Sequence, residues 1–148
     1  MPTYKYMTRT APGRGRLRAL AAITATGGDV AWAPESSALE FKPVPKAPVP
    51  EKTAERRLSQ LRAIAKRFAG EELVGTEKCE LRLMPQPIDR YVPGTAEYAD
   101  GAIFLLSFGT NPEAALFLES DGKEWRYAVG RLAGAGKISV TIDDVTAW

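Results

Sequence analysis

"GAIFLLSFGTNPEAALFLESDGKEWRYAVGRL", residues 101–132, decides how this chain is read. "GAIFLLSF" is an unbroken apolar run of strand length, the pattern of a central strand covered on both faces. "GTNP" carries turn chemistry, and "EAALFLES" predicts a second buried strand. "DG" at 121–122 predicts a tight turn. In the segment that follows, Trp125, Tyr127 and Val129 alternate with Arg126 and Ala128, a half-buried pattern.

Working outward, "CELRLM" (79–84) alternates with Cys79, Leu81 and Leu83 on one side, and "PQPIDRYVPG" breaks the pattern. "KISVTI" and "DVTAW" predict two closing strands. Upstream, "TAERRLSQLRAIAKRFAG" (53–70) sets Leu58, Leu61, Ile64, Ala65 and Phe68 on one stripe at helical spacing. Thr53 suits the N-cap and Gly70 the left-handed position after the last turn. The basic residues of this segment read as its solvated side. The expected fold is α+β: one amphipathic helix packed on an antiparallel meander of about five strands, preceded by a short hairpin remnant of a first repeat.

That remnant is "GRLRALAAITATGGDVAW" (15–32). Aligned with residues 130–148, its Gly15, Arg16, Leu17, Ile23, Thr26, Asp29 and Val30 meet identical residues. Four segments follow: a flexible basic arm at 1–16, the remnant at 17–34, a proline-rich strap at 35–51, and a complete unit at 52–148. "FKPVPKAPVP" within the strap predicts polyproline-like extension. A docking peptide for a polyproline-binding domain is its alternative reading.

At 148 residues the chain has the size of one domain, and 45% hydrophobic against 26% charged residues is ordinary globular composition. With no histidine and one cysteine, Ser-His and Cys-His nucleophile systems, His-containing metal sites and an internal disulfide are excluded. A cytoplasmic location is expected. No apolar run is long enough to span a membrane, and "ALAAITA", with only Leu20 and Ile23 strongly apolar, reads as repeat sequence rather than signal peptide. The net charge of +2 conceals an asymmetry: residues 1–78 hold 14 Lys+Arg against 8 Asp+Glu, and residues 79–148 hold 6 against 10. Such a dipole orients partners or favours self-association.

Chemistry-bearing patterns are sparse. Asp143 and Asp144 read as turn formers, and Asp89, Glu97 and Asp100 as anchors of a loop with Arg90 and Tyr91. "GTNPE" lacks the continuation of a phosphate loop, "GAG" at 134–136 has no helix after it, and Cys79 reads as core. In "LMPQPIDRY" two prolines hold Gln86 extended. Gln86, Arg90 and Tyr91 could then form a polar pocket with Arg126 and Tyr127, the ligand-binding alternative; the competing reading is a proline-protected sheet edge. Arg14, Arg16 and Arg18 in "GRGRLR" are the nucleic-acid candidates, since arginines among glycines track phosphates, but the near-neutral total charge argues against that partner. No catalytic residue, metal or cofactor is expected.

"ELRLMPQPIDRY", "DGAIFLLSFGTNPEAALFLES", "WRYAVGRL" and the terminal tryptophan together resemble an uncharacterised bacterial family common in planctomycetes. Its pattern runs E-L-R-L-x-P-Q-P-x-x-R-Y, D-G-A-x-F, G-T-(N/D)-P-E and W-x-Y-x-x-x-R. The resemblance covers residues 29–148 and implies duplicated units joined by the strap, of which this chain has lost nearly all of the first. It implies architecture and no chemistry. The leading expectation is therefore a non-enzymatic binding or assembly module with a protein partner or a second copy of itself. The alternatives are a small-ligand-binding domain or enzyme, and a weak nucleic-acid binder using the arm and helix.

Overall fold

The computed structural model describes residues 5–9, 20–24, 30–32, 39–91, 100–132 and 136–148. They fall into two compact units, Met1–Ala38 and Leu39–Trp148. In the first, strands β1 (Lys5–Arg9), β2 (Leu20–Thr24) and β3 (Val30–Trp32) form an antiparallel sheet in that order. β2 pairs with β3 through Ile23 opposite Trp32 and Thr24 opposite Val30. At the other end of the chain, Val145 pairs with Ile142. The aligned valines thus have non-equivalent partners, and the pairing lends the apparent repeat no support.

The second unit begins with β4 (Lys42–Pro43), followed by helix α1 (Ala54–Ala65), β5 (Phe68–Val74), β6 (Glu77–Leu83) and β7 (Asp89–Tyr91). It continues with β8 (Asp100–Phe108), β9 (Asn111–Ser120), β10 (Trp125–Arg131), β11 (Lys137–Ile142) and β12 (Val145–Thr146). Among the described residues the strands form one antiparallel sheet in the order β12-β11-β5-β6-β8-β9-β10-β4, with β7 pairing off the path onto β8. The eight strands of the path curl into a half-barrel.

This corrects the expected helix on a meander of about five strands. The tail of the predicted helix is strand: α1 stops at Ala65, and Phe68 opens β5. Gly70 is no helix cap, because it sits in β5 with Leu81 and Leu106 packed against its backbone. β5 escaped the alternation test because an acid takes an inward position. Glu72 is only 3% exposed, and its carboxylate accepts the Gly136 N–H at 2.8 Å. β4, β7 and β12 are too short for a period of two to register.

Curling follows from how strands share partners. β6 pairs with β5 through residues 77–81, then with β8 through Arg82 and Leu83. At the far ends of the path, Lys42 Nζ donates to the Ala147 carbonyl at 3.4 Å. The concave side holds the core. Phe104 and Leu106 of β8, Leu116 and Leu118 of β9, and Trp125 of β10 are all buried there. Leu61, Ile64 and Ala65 of α1 join the same cluster. Each large side chain so placed contributes roughly 1.5–3 kcal/mol.

The helix starts where Thr53 Oγ1 accepts the Arg56 N–H, and Glu55 in the first turn complements the helix dipole. It ends without glycine. Lys66 is the C-cap, and the chain is drawn into the sheet as the Phe68 ring meets Tyr127 edge-on at 5.1 Å.

Candidate functional site

The residues expected to form one polar pocket lie on two faces of the sheet. On the convex face a cross-strand row runs from Tyr91 through Gly101 and Glu119 to Arg126. Gly101 carries no side chain, so the Tyr91 ring lies across it and its hydroxyl donates to Glu119 Oε1 at 2.6 Å. Burial raises the Glu119 pKa; the Tyr91 hydrogen bond and the Arg126 charge oppose that shift without cancelling it.

On the concave face, Arg90 belongs to a different cluster. Asp100, fully buried, accepts Arg57 Nε at 2.9 Å, Arg90 Nε at 3.0 Å and Arg90 Nη2 at 2.6 Å. Arg57 also donates to the carbonyls of Glu51 and Lys52, and Arg90 to that of Ala54. Burial alone pushes the Asp100 pKa up, but hydrogen bonds from Arg90 and Arg57 outweigh it and hold the carboxyl below its usual range. This triad locks the start of α1 to β7 and β8. Its donors and acceptors are turned on one another.

Tyr127 is buried against Phe68, and Gln86 accepts Arg62 Nη2 at 2.5 Å beside the helix. The five residues therefore do not converge. Tyr91 and Arg126 meet around Glu119; Gln86, Arg90 and Tyr127 go elsewhere. Arg14, Arg16 and Arg18 lie outside the described residues, as does Glu97. Asp143 and Asp144 both take left-handed backbone angles, with φ of 48° and 63°, in the turn between β11 and β12. Among the described residues no cluster of three or more His, Cys, Asp or Glu is placed to hold a metal ion.

A concave feature lies where the strap crosses the helix. An open groove of about 380 Å³ is lined by Lys46, Pro48, Gln60, Ala63, Ile64, Arg67 and Asp143. Gln60 fixes one wall: its Oε1 accepts the Glu51 N–H at 2.9 Å and its Nε2 donates to the Val49 carbonyl at 2.8 Å. The side-chain amide thus pairs with the strap backbone much as a neighbouring strand would.

Arg67 fixes the other wall. Its Nε and Nη2 reach the two Asp143 oxygens at 3.1 and 2.6 Å, and Nη2 also donates to the Pro45 carbonyl at 2.6 Å. The Arg67 hydrogen bond holds the Asp143 carboxyl below its usual range. Lys46 takes a positive φ of 51°, a left-handed conformation costly for a residue with a Cβ. Apolar atoms of Pro48, Ala63 and Ile64 lie between these walls.

Sequence reading passed over this groove because each member had an adequate reason of its own. Arg67 read as solvated helix surface, Asp143 as a turn former, and Lys46 as part of a spacer. One signal was available: a glutamine on the helix face otherwise expected to carry charge. No family model matches this sequence, and neither curated proteins nor solved structures give a significant match.

Proposed function

We propose that this protein is a non-enzymatic binding module that takes a short segment of a partner protein into the groove between strap and helix. The observation carrying this reading is the groove itself, open and apolar along its floor, with both walls pinned by side chains. A preorganised surface loses little conformational entropy on binding. The one carboxylate that lines the groove, Asp143, is already held by Arg67. A positioned acid–base group with an unused proton acceptor would favour catalysis instead. Membership of the planctomycete-type family is part of the same proposal, and it rests on the motif string alone.

Selection of displayed random peptides on the folded protein tests the reading, with Ala63→Trp as counter-screen. Ala63 is exposed on the helix, so the indole fills the groove at little cost to folding. Enriched peptides should lose binding to Ala63→Trp while its circular dichroism and melting stay unchanged. Failure to enrich any peptide, or enrichment indifferent to Ala63→Trp, refutes the proposal.

A further inference from the structure

We infer that the groove selects an acidic segment of a partner protein, with a carboxylate side chain set between Lys46 and Arg67 and a neighbouring aliphatic side chain on Pro48 and Ala63. This rests on the groove being the binding surface. The charge inventory decides the sign. Among the described residues Lys46 Nζ makes no hydrogen bond or ion pair, and Arg67 commits Nε and Nη2 but leaves Nη1 without an acceptor. The one acid in the lining, Asp143, has both oxygens engaged by Arg67. It orients that guanidinium and also feels the Lys46 charge, so Lys46 and Arg67 against Asp143 leave the lining one positive charge in excess.

The helix row along the groove reads Arg56, Gln60, Ala63 and Arg67, with no acid in it, and Lys66 is exposed beside it. An arriving carboxylate therefore meets Lys46 and Arg67 together, and the one acid in the lining, Asp143, is already paired with Arg67. Charge-assisted hydrogen bonds to such donors are the stronger kind.

The strap decides the mode of recognition. Pro45, Pro48 and Pro50 have no N–H, while Gln60 already occupies the Glu51 N–H and the Val49 carbonyl. A partner cannot add to the strap as a strand, because the ladder of donors is missing. It must be read by its side chains, which gives the flanking cations their discriminating role.

Fluorescence anisotropy tests this with a labelled peptide alternating leucine and glutamate, beside versions carrying glutamine or lysine in place of glutamate. The glutamate peptide should bind saturably and weaken with added salt. The glutamine version should bind about tenfold more weakly and the lysine version not measurably. Lys46→Gly removes the ammonium at a position whose backbone favours glycine, so it should weaken binding by roughly three- to tenfold with melting unchanged. Ala63→Glu should abolish binding, and Ala63→Lys should tighten it.

Equal binding of glutamate and glutamine peptides overturns acidic selection, although Ala63→Trp sensitivity would then keep the groove as binding surface. Displacement of the peptide by a single-stranded oligonucleotide of matched charge overturns the partner assignment in favour of a polyanion. Self-association lost in Lys46→Glu does so in favour of a second copy of this chain.

Discussion

The Tyr91 ring occupies the space that a side chain at Gly101 would need, in a cross-strand row that continues to Glu119. A Cβ at Gly101 would collide with the ring, and the hydroxyl would have to leave Glu119. Gly101→Ala should therefore cost about 1–3 kcal/mol in urea denaturation. Combined with Tyr91→Phe the losses should fall short of additive, since both remove the same contact. Fully additive losses would disprove the shared origin.

Asp100 should dominate the acid limb of stability. Its folded-state pKa lies below the ordinary 3.8, so its contribution is complete above that pH and fades as pH falls through the folded value. Asp100→Asn leaves two guanidiniums facing a neutral amide, and should cost about 3 kcal/mol at neutral pH. It should also flatten the stability profile below pH 3.8. Urea midpoints across an acid series check both.

Glu119 has the opposite sign. Burial raises its pKa above 4.5, so the folded protein holds that proton more tightly than the unfolded chain does. Its contribution is most favourable below pH 4.5 and erodes as pH rises through the folded value. Glu119→Gln keeps an oxygen for the Tyr91 hydroxyl and removes the charge. It should be at least as stable as the parent at neutral pH. A neutral-pH loss above about 1 kcal/mol would show that the ionised form is the favoured one.

Gln60→Ala should release the strap without unfolding the core. Two exposed hydrogen bonds disappear, each worth about 0.5–1.5 kcal/mol at most. Amide exchange at Glu51 should speed up, while amides in β8 and β9 keep their protection.

The long strands of the second half were legible because their apolar runs exceed what any turn tolerates. β8, β9 and β10 fall on the runs "GAIFLLSF", "EAALFLES" and "KEWRYAVGRL", the last shortened to Trp125–Arg131. The Asp121 turn was equally plain: its carboxylate accepts the N–H groups of Lys123 and Glu124. What stayed hidden has physical causes. Phe68 continues the helical spacing from Ile64 and Ala65, yet packing against Tyr127 takes it into the sheet. The polar pocket failed for a different reason. Arg90 and Tyr91 are consecutive on β7, so a strand's alternation sends one to the concave face and the other to the convex face. The groove depends on Lys46, Gln60, Arg67 and Asp143 meeting across long sequence separations, which no local pattern records.

The partner of β5 along its other edge is β11, which is made some seventy residues later: Phe68 pairs with Ile142, and Leu73 with Lys137. As the polypeptide leaves the ribosome, β5 and β6 can form their hairpin early while one flank of that hairpin stays bare until β11 emerges. An unclosed flank of this kind invites pairing with neighbouring nascent chains. Pairing over such a separation also makes closure slow, so the yield of native protein should depend on how quickly translation delivers its last strands.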